Sequence, residues 1–99
     1  MGETGTESAP LTGQQVEPKS GILPPYAVIL HNDSVNEMTH VVRSLHRSVP
    51  SLSLKRATDI MLEAHNNGRA LVIVCPLELA ELYQTRLQSC QLTATIEKA

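Results

Sequence analysis

Residues 26–42, Tyr26-Ala-Val-Ile-Leu-His-Asn-Asp-Ser-Val-Asn-Glu-Met-Thr-His-Val-Val42, change character twice. An apolar run from Ala27 to Leu30 gives way to the polar cluster His31-Asn32-Asp33-Ser34. Beyond it, Met38, Val41, Val42, Leu45 and Val49 recur three or four residues apart, the spacing of a helix with one apolar face. A strand over about Tyr26–His31 therefore feeds a helix over about Asn36–Ser48 through a polar turn. Turns held between rigid elements present binding groups, because the scaffold fixes side chains that stay exposed. The plainer reading is that Asn32, Asp33 and Ser34 only make the turn, Ser34 and Glu37 having capping-box spacing.

Downstream, Pro50 stops the first helix. Ser51 or Ser53 can cap a second, in which Ala57, Ile60, Met61, Ala64 and His65 share one face. Gly68 supplies the left-handed residue that ends it. Ala70–Cys75 is continuously apolar, the pattern of a central strand covered on at least one side. Pro76 opens a third helix, with Glu78 and Glu81 in its first turns where the helix dipole favours acids, and Leu79, Leu82, Tyr83 and Leu87 as its expected apolar face. The last segment alternates, with Leu92, Ala94 and Ile96 on one side. The order is β-α-α-β-α-β. The simplest architecture is an α+β sandwich, a three-stranded sheet with three helices packed on one face, its strand directions left open by the pattern. Residues 1–25 are rich in Gly, Ser, Thr, Pro, Glu and Gln and lack periodicity, so they read as a flexible extension preceding a core domain over 26–99.

The chain of 99 residues, 41% hydrophobic, suits one small domain with a single core and no large enclosed active site. Phe and Trp are absent, so no aromatic platform of that kind exists for stacking bases. Eight basic against ten acidic residues make nucleic acid an unsuited partner. Two cysteines, Cys75 and Cys90, make neither a disulfide framework nor a zinc motif and read as buried free thiols of a reducing compartment. No apolar run approaches a membrane span of roughly twenty residues, and the N-terminus lacks signal-peptide character.

Enzyme signatures are missing: there is no phosphate-binding Gly-rich loop, paired-cysteine motif or nucleophile elbow. His31, Asp33 and His65 are the one set that could converge on a metal, as in a metal-dependent hydrolase, but their spacing matches no ligand motif, and no metal or other cofactor is expected. His40 and His46 lie off the apolar stripe of the first helix and are expected to be solvated. His65 shares a face with Met61 and Ala64, either as a core-edge histidine or as a polar group at the rim of an apolar pocket.

Several of these segments occur together in one known family. The Asn32-Asp33 turn followed by Met38, the run Arg56-Ala57-Thr58-Asp59-Ile60-Met61-Leu62-Glu63-Ala64-His65, Gly68-Arg69-Ala70, and the closing Glu97-Lys98-Ala99 resemble the ClpS adaptor family, and the resemblance spans residues 25–99. It implies a non-enzymatic adaptor that binds proteins carrying a destabilising N-terminal residue and delivers them to a Clp AAA+ unfoldase for proteolysis. It further implies that Asn32, Asp33 and His65 bind the free α-amino group. Those types suit the task, since an ammonium has three donors and an amide oxygen, a carboxylate and an imidazole nitrogen each accept. The pocket for a large hydrophobic first side chain falls by resemblance to Met38, Val41, Met61, Ala64 and Leu92, residues that periodicity separately places on inward faces.

Four departures from the family pattern stand out. Ser34 replaces a second Asp, Ala64 replaces the Val before the pocket His, and Asn36-Glu37 replaces Thr-Pro before the gating Met38. Tyr83 takes the place of a Lys that, with the acidic Glu78, would dock the unfoldase. The implied partner is the N-terminal domain of a ClpA- or ClpC-type unfoldase. The implied setting is a bacterial cytoplasm or the stroma of an organelle of bacterial descent, with the protein a monomer away from membrane and nucleic acid. The residues 1–25 extension would then serve delivery rather than binding. The rival reading is a small α+β scaffold in which the Asn32 turn is only structural.

Overall fold

The computed structural model describes residues 23–99, so all but the last three positions of the expected 1–25 extension lie outside the described residues. The elements run β1 (Tyr26–His31), α1 (Met38–Ser48), α2 (Leu54–Asn67), β2 (Arg69–Cys75), α3 (Leu77–Ser89) and β3 (Thr93–Lys98), the expected order. No helix of the described residues is long and apolar enough to cross a membrane.

The sheet is antiparallel in the order β2-β1-β3. The central strand is therefore β1, not the Ala70–Cys75 run, which forms an edge. Antiparallel pairing on both flanks buries four consecutive residues, Ala27 to Leu30, from both sides. By contrast β2 alternates until a bulge, where Val28 pairs with Ile73 and Ile29 with Leu71, leaving Val72 as the extra residue. The bulge turns Val72 and Ile73 to the same side, and the strand with one covered face still reads as a continuous apolar run because its outward residues Leu71 and Val74 are apolar although exposed.

Val28, Leu30, Ala70, Val72 and Ala94 meet Leu45, Val49, Ala57, Ile60, Met61, Ala64, Ala80 and Leu87 in one core. Ile29 faces away from the helices and is nevertheless buried. Its strand neighbours are Leu71 and Thr95, and the Arg69–Glu97 ion pair (3.0 Å) and a His31–Thr95 hydrogen bond (2.7 Å) lie on that face. Such an exposed pair adds little stability by its charges; its methylenes serve as cover.

Both ends of α2 follow local chemistry. The Ser53 hydroxyl accepts from the Arg56 amide and caps α2, and Gly68 at φ 92° closes it. For α1 the expected Ser34/Glu37 capping box does not form; Glu37 occupies the cap position without a side-chain bond, for a reason that lies in Asp33. On α3 the expected apolar face is rotated. Ala80 and Leu87 are fully buried and Tyr83 packs partly against the core, while Leu79 and Leu82 are each 41% exposed. The small Ala80 lets the helix approach the sheet, a preference that hydrophobic counting misses. The two thiols are free, Cys75 buried and Cys90 only half-buried, and burial pushes the Cys75 thiol up.

Candidate functional site

The turn after β1 is organised by one carboxylate. Asp33 Oδ1 accepts from the backbone amides of Val35 and Asn36, each at 3.1 Å. This Asx turn makes the chain reversal, the turn-making role that the sequence offered for Asp33. Burial raises the Asp33 carboxyl, but hydrogen bonds from the Asn36 and Val35 amides, the Asn36 side chain and Thr93 outweigh it and hold the group below the ordinary aspartate value. Asp33 is therefore ionised at neutral pH. One turn contact reaches across the molecule: the Asn32 amide donates to the Gly68 carbonyl at 3.0 Å. Since Gly68 ends α2, this bond brings the β1 turn beside the last turn of α2, which carries His65. Within the described residues, no hydrogen bond occupies the side chain of Asn32 or His65.

Below this mouth lies a groove of about 470 Å³. Asn32, Asp33 and His65 line it together with Met38, Val41, Met61, Ala64 and Leu92, so both sets expected from the sequence converge in one cavity. The apolar members are graded by depth. Ala64 (2%), Leu92 (5%) and Met61 (8%) form the closed wall, whereas Met38 is 45% exposed and stands at the opening. Leu30, Ser34, Asn36 and Glu37 also contribute lining that sequence reasoning did not assign. Leu30 belongs to the apolar run of β1, whose pattern does not single it out, and nothing in the local pattern signals Asn36. The lining contains the acids Asp33 and Glu37 and neither Lys nor Arg, so the mouth favours a cation. A cationic end next to an apolar body is the ligand shape this combination accepts.

His31, Asp33 and His65 all border the groove, but the expected alternative of a metal set is not realised. Among the described residues no three His, Cys, Asp or Glu side chains gather closely enough to hold an ion, and His31 Nε2 is engaged with the Thr95 hydroxyl. His40, expected in solvent, is half-buried and donates through Nε2 to the Cys90 carbonyl at 2.8 Å. His46 stays exposed but places Nδ1 2.9 Å from the Leu52 carbonyl. Glu78 is exposed in the first turn of α3, and Tyr83, further along the same helix, is half-buried and packs partly against the core.

Residues 23–95 match the family model described as ATP-dependent Clp protease adaptor protein ClpS. A ClpS adapter protein of Synechococcus elongatus is 51% identical over 79 residues, covering 80% of this chain and 83% of the relative. The chloroplastic adapter CLPS1 of Arabidopsis thaliana is 43% identical over 76 residues, 77% of this chain and 48% of the relative. Among solved structures, Agrobacterium tumefaciens ClpS2 bound to L-phenylalaninamide superposes with a TM-score of 0.72 at 26% identity, covering 77% of this chain and 98% of that one.

Proposed function

The chain belongs to the ClpS family of Clp protease adaptors, and on that premise we propose that its groove binds the first residue of substrate proteins through a free α-amino group and a large hydrophobic side chain. The observation that carries this reading is the junction of an anionic mouth with a closed apolar wall in one cavity. The ligand of the Agrobacterium relative supports it, because L-phenylalaninamide is chemically an N-terminal phenylalanine: an ammonium, a benzyl group and an amide.

Asn32 Oδ1, the Asp33 carboxylate and an imidazole nitrogen of His65 accept the ammonium hydrogens. Hydrogen bonds to a charged group contribute about 1.5–3 kcal/mol each. Met38, Val41, Met61, Ala64 and Leu92 enclose the side chain, whose burial contributes a further 1.5–3 kcal/mol or so. Neither half suffices against the entropic cost of association, so the site demands both. The bound substrate then passes to the N-terminal domain of a ClpA- or ClpC-type AAA+ unfoldase, docked through the Glu78 and Tyr83 side of α3. The adaptor works as a monomer in a bacterial cytoplasm or an organellar stroma.

The deciding experiment measures fluorescent peptides that differ only in the first residue, Leu, Phe, Tyr, Trp, Ile or Met, with the amine free or acetylated. Free-amine Leu or Phe peptides bind with micromolar Kd, about 8 kcal/mol, and acetylation abolishes binding. Equal binding of free and acetylated forms would overturn the reading.

A further inference from the structure

Asn36 sits where the groove's two halves join, and its side chain has no hydrogen left for a ligand. Its Nδ2 lies 3.1 Å from both oxygens of the Asp33 carboxylate and 2.9 Å from the Gln91 carbonyl. An amide nitrogen carries two hydrogens; one forks onto the carboxylate and the other goes to Gln91. Gln91 in turn adopts φ 70°, the left-handed region that a side chain disfavours. Conformations of that kind persist where the surroundings hold them. The next two residues are parts of the site: Leu92 forms the apolar wall, and the Thr93 hydroxyl donates to Asp33 Oδ2 at 3.5 Å.

We propose that Asn36 is a positioning residue that joins the amine-binding carboxylate of Asp33 to the turn carrying Leu92, so that the mouth and the wall of the groove keep one fixed separation. The inference rests on the adaptor reading for its ligand, but the linkage itself is a property of the free protein. A ligand whose ammonium and side chain are separated by a single Cα needs both contacts at once, and one bridge setting their spacing serves that need. A second strap, from His40 to the Cys90 carbonyl, holds the same turn to α1 and keeps the fold when Asn36 is replaced.

The test compares wild type, Asn36→Ala and Asn36→Ser, each verified as folded by circular dichroism, with peptides starting in Leu or Ala and with free or acetylated amines. Asn36→Ala lowers both the free-to-acetylated ratio and the Leu-to-Ala ratio roughly fivefold, the scale of one hydrogen bond. Asn36→Ser, which keeps one donor, restores one ratio at most. In an Asp33→Asn background the Ala substitution no longer moves the free-to-acetylated ratio. A lower melting temperature with both ratios unchanged overturns the proposal. Wild type that binds neither free-amine peptide refutes the adaptor reading instead. The linkage is then decided without ligand, by NMR: Asn36→Ala shifts the Asp33 carboxyl carbon and the Leu92 methyl signals together, and an unmoved Leu92 overturns it.

Discussion

The Asn32 amide and the Gly68 carbonyl, 3.0 Å apart, tie the turn after β1 to the end of α2. Asn32 and His65 are far apart in sequence, and this bond makes them neighbours at the groove mouth. The Gly68 carbonyl reaches Asn32 because Gly68 turns left-handed, at φ 92° and ψ −24°, while its own amide closes α2 on Ala64.

Replacing Gly68 separates backbone strain from packing. An added Cβ meets no atom within 4 Å, so the penalty of Gly68→Ala is conformational, about 1–2 kcal/mol. Gly68→Asn costs less, because Asn tolerates this region. Urea denaturation of both variants checks the order, and a neutral Gly68→Ala would contradict the strain argument.

Asp33 gives the fold a defined acid sensitivity. Its folded-state pKa is depressed below the ordinary 3.8, so the carboxylate's contribution is fully present above the unfolded value and fades as pH falls through the folded one. Relative to Asp33→Asn, wild-type stability is therefore flat from neutrality to about pH 5 and declines below that. Denaturation midpoints of the pair at several pH values measure the difference; a gap that widens toward low pH would reverse the sign.

Ala64 leaves room in the wall. It is 2% exposed and borders the groove, so the two methyls added by Ala64→Val enter space that a ligand would fill. Overpacking of this kind costs about 1–3 kcal/mol. The variant should disfavour peptides beginning with Trp or Phe relative to Leu by roughly tenfold, as read from paired affinities. An unchanged ranking would place Ala64 outside the contact surface.

Met38 stands at the opening, 45% exposed, and on the proposed adaptor reading its straight thioether chain limits the width of what enters. Shortening it in Met38→Ala relieves crowding at a branched Cβ. The Ile-to-Leu affinity ratio should rise roughly fivefold, about 1 kcal/mol. No change in that ratio would remove Met38 as the gate.

Most of the architecture was legible because it depends on local chemistry. Apolar runs and period-3.6 or period-2 patterning mark the six elements and the inward faces of α1, α2 and β3, and Ser53 and Gly68 mark the ends of α2 through their own bonds and dihedrals. The candidate site residues came from family resemblance, since spacing alone left Asn32 and Asp33 as turn makers or ligands and His65 as a core-edge histidine or a group at a pocket rim. What tertiary structure alone decided depends on contacts distant in sequence. Pairing on both flanks made β1 the centre and Ala70–Cys75 an edge, and the exposed but apolar Leu71 and Val74 hid that. Close approach to the sheet chose Ala80 over Leu79 and Leu82 for the buried face of α3. The Asp33 carboxylate captured the turn from the Ser34–Glu37 box because it also binds the Asn36 side chain and Thr93, and Asn36 joined the site because folding brings Gln91 within 2.9 Å. Local pattern reports which face a residue seeks; which partner it meets there is set by how the strands and turns close on one another.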